Sequence, residues 1–207
     1  MKKELIIILG PTAIGKTDIS IEIAKTLETE IISFDSRQFY KELRVGTAPP
    51  EKKQLDEVPH HFIHHISIQD KYNAGIYENN VIPKIESLFN QHDKLIAVGG
   101  SGLYLDAICK GFDNIPSIEE SIREKISEKY NKRGLSWLQK ELEIKDPSYF
   151  KKVDKKNPQR IIRALEVFEG TGIPYSTFRS SIKKRRNFKI RKIWIDMDRL
   201  KLYNRIN

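Results

Sequence analysis

Short runs of apolar, β-branched residues alternate along the chain with segments whose apolar residues recur every three or four positions. Residues 5–9 are five consecutive apolar residues that run straight into Gly10, and Ile19, Ile23 and Leu27 then keep helical spacing. A run that is apolar on both faces predicts a buried parallel strand, so this stretch reads as strand, turn, helix. Residues 31–34 predict a second buried strand ending at Asp35; residues 95–98 predict a third, ending at Gly99 and Gly100, with a helix over 103–109. The fold class expected is α/β: a parallel sheet core whose ligands gather at the C-terminal ends of its strands.

After Gly111 the texture changes. Pro116 and Ser117 open helix-length segments without strand signals, with Ser117 as an N-cap ahead of Glu119 and Glu120. Further helices are predicted over 136–143, 147–153 and 158–169, the last closed by Gly170 and Gly172. Residues 183–186 form a basic run, and residues 190–195 return to a strand pattern. The domain reading is a core of 1–115 plus 188–207, interrupted by a helical, basic insertion at 116–187. There is no internal repeat and no low-complexity tract.

Composition narrows the function classes. With 39% hydrophobic and 31% charged residues, the 207-residue chain is globular in character and long enough for a sizeable core. Its single cysteine, Cys109, excludes an intramolecular disulfide and a cysteine-built zinc site, and fits a reducing, cytoplasmic setting. The apolar run at 5–9 is too short for a signal-peptide core or a membrane span, so no membrane partner is expected. The net charge of +9 is regional, since residues 116–191 hold 20 Lys+Arg against 10 Asp+Glu. Such a surplus fits a polyanion partner or a solvated basic face.

Gly10, Pro11, Thr12, Ala13, Ile14, Gly15, Lys16 and Thr17 match G-x-x-x-x-G-K-[ST] between a predicted strand and a predicted helix. Glycines let the backbone curl so that successive N–H groups face an anion, the helix N-terminus adds its positive end, and Lys16 meets the terminal phosphates. Thr17 would offer a hydroxyl to Mg²⁺, the cofactor expected. The loop specifies phosphate, not a reaction. Asp35 can be a residue behind the metal ligands, a general base or a polar loop residue, and Ser101 can be a plain N-cap. His60, His61, His64 and His65 include i,i+4 pairs, but no acidic or cysteine ligand stands at useful spacing, so packing or lining of the site's rim is expected rather than zinc.

Beyond the P-loop, the segments 35–40 (DSRQFY), 46–48 (GTA), 59–61 (PHH), 98–104 (VGGSGLY) and 158–167 (PQRIIRALEV) occur in order. Together they resemble the tRNA dimethylallyltransferase family across nearly the whole chain. The resemblance implies transfer of a dimethylallyl group from dimethylallyl diphosphate to the exocyclic N6 of the adenosine 3′ of a tRNA anticodon. It implies Asp35 as the base, and Ser101, at a position where the family usually has threonine, with Lys16 among the catalytic residues. It implies tRNA contacts by Asp35, Ser36, Arg37, Gln38, Ser101, Arg123, Gln159, Arg160, Ile161, Ile162 and Arg163. The expected partners are tRNA and dimethylallyl diphosphate, and the protein is expected to be a monomer.

The chain departs from the family at Pro49, where lysine is common, and at its end: residues 202–207 resemble the start of a helix that family members continue, so a shortened chain is expected. The alternatives weighed are a P-loop small-molecule kinase, an adenylate isopentenyltransferase acting on free nucleotide, and a tRNA-binding module without turnover. The first explains the P-loop and Asp35 but not a basic insertion.

Overall fold

The protein is described by a computed structural model over residues 2–179 and 183–206. In chain order the first elements are β1 (Glu4–Leu9), α1 (Lys16–Thr26), β2 (Ile31–Ser33), α2 (Lys52–Glu57), β3 (His60–His61), α3 (Ala74–Leu88), β4 (Lys94–Val98) and α4 (Gly102–Cys109). Four helices follow: α5 (Glu120–Lys145), α6 (Pro147–Phe150), α7 (Pro158–Thr171) and α8 (Tyr175–Phe178). β5 (Lys189–Trp194) and α9 (Arg199–Ile206) come last. Two compact units result, Met1–Phe112 with Lys183–Asn207, and Asp113–Ile182.

In the first unit the five strands run parallel in the order β3-β2-β4-β1-β5, a P-loop NTPase-like sheet. The order reverses around β4, which enters between β1 and β2 although it follows both in sequence. That crossover opens a crevice at the strands' C-terminal ends, where the P-loop, Asp35 and Gly99 leave the sheet. Leu5, Ile7, Ile32, Leu95 and Ala97 bury one face of the sheet with α3 and α4, while Ile6, Ile8, Ile31 and Ile96 bury the other with Ile21 and Ala24 of α1. Each fully buried isoleucine or leucine contributes about 1.5–3 kcal/mol, which is why so few strand residues suffice.

The second unit has its own core of Ile126, Leu138, Leu142, Tyr149, Val153, Ile161, Ile162, Ala164 and Leu165. α5 is longer than the predicted helix over 136–143, begins after Glu119 rather than Ser117, and breaks at Gly134 (φ 77°, ψ −177°). Asn157 caps α7 by accepting from Arg160 N, and α7 ends on Gly172; Gly170 lies inside the helix against Ile118.

The insertion differs from the expected 116–187, because the chain is back in the first unit by Lys183. Glu78 of α3 explains this return. Its buried carboxylate accepts from Arg186 Nη2 at 3.0 Å and from Phe112 N at 2.8 Å, and pairs with Lys184 at 3.2 Å. Arg186 also donates to the carbonyls of Ala107 and Ile108, so part of the basic run is internal structure rather than a solvated face. The charge map shifts accordingly: over 113–182 there are 14 Lys+Arg against 11 Asp+Glu, and six of the basic residues credited to the insertion lie at 183–191.

Candidate functional site

The loop from Gly10 to Thr17 joins β1 to α1. Gly15 holds a left-handed conformation (φ 93°) as the N-cap of α1, and no side chain caps that end. The first N–H groups of α1 therefore have no side-chain acceptor, the arrangement an anion fills. Ala13 is also left-handed (φ 63°), while Ile14 is buried as the loop's anchor. A Cβ at Gly10 would lie 2.8 Å from Ile195 O, so this turn packs against the segment leaving β5. Lys16 Nζ donates to Gly10 O at 3.1 Å and Pro11 O at 2.7 Å. Burial lowers its pKa, and the charge of Asp35 partly offsets that effect. This coupling places Asp35 electrostatically within the P-loop site.

Asp35 leaves the end of β2. Its Oδ1 accepts from Arg37 N at 3.0 Å and its carbonyl from Gln38 N at 3.1 Å, a tight turn that fixes the carboxylate. Beside it, a Cβ on Gly100 would come within 3.3 Å of Asp35 Oδ2, and a Cβ on Gly99 within 2.6 Å of the Phe34 carbonyl carbon. The paired glycines after β4 thus let the β2 and β4 ends touch. Ser101 stands at the N-cap position of α4 but makes no cap bond. Its Oγ accepts from Ser36 N at 3.0 Å and shares a hydrogen bond with Ser36 Oγ at 2.8 Å, stitching the two loops together. Sequence reasoning named both serines without their pairing, since nothing local in either segment reports a bond across 65 residues.

Gln38 is a strut rather than a free reader: its Nε2 donates to Thr47 O at 3.1 Å and Ala48 O at 2.9 Å, holding the segment that ends at Pro49. Arg37 is exposed beside it. Three of the four histidines, His60, His61 and His65, engage neighbours as packing residues do. His60 Nδ1 bonds Val58 O at 2.7 Å, His61 bonds Glu30, and His65 sits edge-on to Phe39. Among the described residues no group of three or more His, Cys, Asp or Glu side chains is placed to hold a metal ion.

In the helical unit, the segment from Gln159 to Arg163 divides by face. Ile161 and Ile162 are 0% and 2% exposed and their side chains belong to the core, so a contact of theirs with tRNA, as the resemblance implies, is left to their backbone. Arg123 and Arg163 clasp the buried Glu166 carboxylate, through Nη1 at 2.9 Å and 2.6 Å respectively, and Arg123 Nη2 donates to Gln159 Oε1 at 2.9 Å. Arg123 thereby braces α5 against Glu166 and Gln159 of α7, while Arg163 pairs with Glu166 within α7. Arg160 alone in the segment is an exposed cation without an ion-pair partner among the described residues.

A family model described as IPP transferase matches residues 38–207. The tRNA dimethylallyltransferase of Christiangramia forsetii is 49% identical over 207 residues, covering 100% of this chain and 68% of the relative. The tRNA dimethylallyltransferase 1 of Bacteroides fragilis is 48% identical over 205 residues, covering 99% and 68%. Among solved structures, the tRNA isopentenylpyrophosphate transferase of Bacillus halodurans superposes with a TM-score of 0.59 at 32% identity, covering 100% of this chain and 64% of that one. A eukaryotic dimethylallyltransferase described as acting on tRNA gives a TM-score of 0.78 at 25% identity, covering 99% of this chain and 52% of that one. The chain thus spans about two thirds of the length of the curated relatives it matches. The anion-ready turn, the Asp35 carboxylate coupled to it and these matches lead to one conclusion: the chain belongs to the tRNA dimethylallyltransferase family.

Proposed function

We propose that the protein moves a dimethylallyl group from dimethylallyl diphosphate to the exocyclic N6 of the adenosine 3′ of a tRNA anticodon. The observation that carries this reading is the turn-fixed Asp35 carboxylate at the end of β2, on the same sheet edge as the uncapped P-loop turn of β1, which sets a base beside a diphosphate cradle. In the reaction the allylic C–O bond breaks, the N6–C bond forms, diphosphate leaves and one N6 proton goes to Asp35. The loop N–H groups and Lys16 neutralise the departing diphosphate. On binding it, the Lys16 ammonium exchanges the Gly10 and Pro11 carbonyls for phosphate oxygens.

The donor set suits Mg²⁺, a hard cation commonly held by one or two protein oxygens and the substrate's phosphates. Thr17 would hold it through its hydroxyl, and the bound ion would supply further neutralisation of the diphosphate. Ser36 and Ser101 keep the β2 and β4 loops in register, so that Asp35 faces the target amine. Arg37 and Arg160 supply positive charge to RNA.

No helix among the described residues is long and apolar enough to cross a membrane, and the lone cysteine supports action in the cytoplasm. The carboxylate's role is tested with Asp35→Ala. Loss of a general base should lower kcat about 10²–10⁴-fold, with the Kd for tRNA nearly unchanged. Turnover at the parental rate in that variant would remove Asp35 from the role of base.

A further inference from the structure

Two sets of cations in the helical unit contrast with one another. Arg123 and Arg163 are neutralised by Glu166, and Lys145 by Glu141 and Glu169. Lys152, Arg160 and Arg179 are exposed and carry no ion pair among the described residues, yet all three line one pocket of about 510 Å³. Ser148, Tyr149, Val153, Tyr175 and Ser176 complete the lining, and no acidic side chain is part of it. Three like charges that share one pocket without an ion pair to any of them repel one another, and an anion held among them relieves that repulsion.

The wall is built, not incidental. Asp146, 1% exposed, accepts from Tyr149 N at 2.9 Å, Ser176 N at 2.7 Å and Ser176 Oγ at 2.7 Å, fixing α6 and α8 to each other. Its carboxylate thus holds three donors of the wall. Tyr149 and Tyr175 meet edge to face at 4.8 Å, and the Arg179 guanidinium lies over both rings at 5.8 and 5.9 Å, which orients its donors. A preformed cavity with three unpaired cations and a hydroxyl-bearing wall fits a phosphate group, and its volume exceeds what phosphate alone needs, leaving room for the attached ribose.

We propose that this pocket seats one phosphodiester of an RNA backbone, held by Lys152, Arg160 and Arg179, with the attached ribose against Ser176 and Tyr175. The inference rests on the reading that the protein binds tRNA, and adds to it Lys152, Tyr175, Ser176 and Arg179, none of which the sequence patterns singled out.

The test measures the Kd of a fluorescently labelled anticodon stem-loop RNA by anisotropy between 50 and 200 mM salt, choosing conditions in which counter-ion release is resolved. The parent is compared with a Lys152→Gln/Arg179→Gln double variant and with a Lys125→Gln/Lys132→Gln double variant. The second pair is also exposed and removes the same charge outside the pocket. The pocket variant should bind about tenfold or more weakly, and its log–log salt slope should flatten by up to about 0.7, the value for one lost single-strand phosphate contact. The control should change far less, and unaltered thermal melting of both variants checks the fold.

Equal losses in both variants, or no loss in the pocket variant while the parent binds, would overturn the inference and leave tRNA binding standing. Failure of the parent to bind RNA would instead overturn both. AMP binding measured by calorimetry separates the sources of phosphate: AMP binding lost in the pocket variant with RNA affinity intact would assign the pocket to a free nucleotide and overturn the RNA assignment.

Discussion

Gly99→Ala probes the contact that sets the spacing between the β2 and β4 loops. The added Cβ would lie 2.6 Å from the Phe34 carbonyl carbon, and 2.7 and 2.8 Å from Cδ2 and Cγ of the Phe34 ring. Carbon atoms in packed interiors sit about 3.5–4.0 Å apart, so one loop must retreat by roughly 1 Å. Phe34 is 1% exposed and the nearest atom is backbone, so no flexible side-chain end can absorb the clash. Overpacking of this kind costs about 1–3 kcal/mol, or about 3–12 °C in Tm for a unit of this size. Asp35 follows Phe34 directly, so the same 1 Å shift is expected to lower kcat/KM about 10²-fold. Thermal melts and prenyl-transfer rates would be compared with those of Gly102→Ala, three residues away, where a Cβ meets nothing within 4 Å. That control should melt as the parent does or gain about 0.4–1 kcal/mol. A Gly99→Ala protein with parental Tm and parental turnover would refute the claim that this contact fixes the site.

Three further outcomes are expected. Ile161→Ala should destabilise the helical unit by about 2–5 kcal/mol in urea unfolding, whereas Arg160→Ala should stay within about 0.5 kcal/mol; the reverse ranking would place Ile161 at the surface. Acidification should destabilise the sheet unit. Burial holds the pKa values of His60, His64 and His65 below 6.5, so the unfolded chain binds more protons and Tm should fall as pH drops below 6.5. Burial also opposes ionisation of Glu30, but His61 and His92 outweigh it and lower its pKa, so its contribution is lost in stronger acid, below 4.5. A Tm that is flat or rising from pH 7.5 to 5 would contradict the histidine contribution, and one that does not fall further below pH 4.5 would contradict that of Glu30. Glu166→Gln should release Arg123 and Arg163 from their shared carboxylate and lower the urea midpoint of the helical unit; an unchanged midpoint would make that clasp dispensable.

What the sequence made legible were features whose cause is local. The apolar runs at 5–9, 31–34 and 95–98 appear as β1, β2 and β4 because a strand buried on both faces needs little else to declare itself. The P-loop is likewise local, its glycines and its helix being neighbours in sequence. β3, only two residues of paired histidine, carries no hydrophobic run and forms because the edge of β2 offers Ile31 and Ile32 as partners. The end of the insertion was misplaced because a basic run reads as solvated surface, whereas Arg186 is drawn inward by Glu78, 108 residues away. The same limit hid the pairing of Arg123 and Arg163, whose shared Glu166 is buried only once α5 and α7 pack. Redrawing the boundary also weakens charge as the argument against a kinase. What separates the readings is the family match, which runs through the site segments as well as the insertion.

The most direct test incubates the protein with radiolabelled dimethylallyl diphosphate and Mg²⁺, offering total tRNA, free AMP or ATP with a hydroxyl-bearing metabolite, and counts label in each acceptor. Label entering tRNA, on the N6 of the adenosine 3′ of the anticodon, is the result predicted. Label entering AMP instead, or no label in tRNA while ATP phosphorylates the metabolite, would contradict the proposed function.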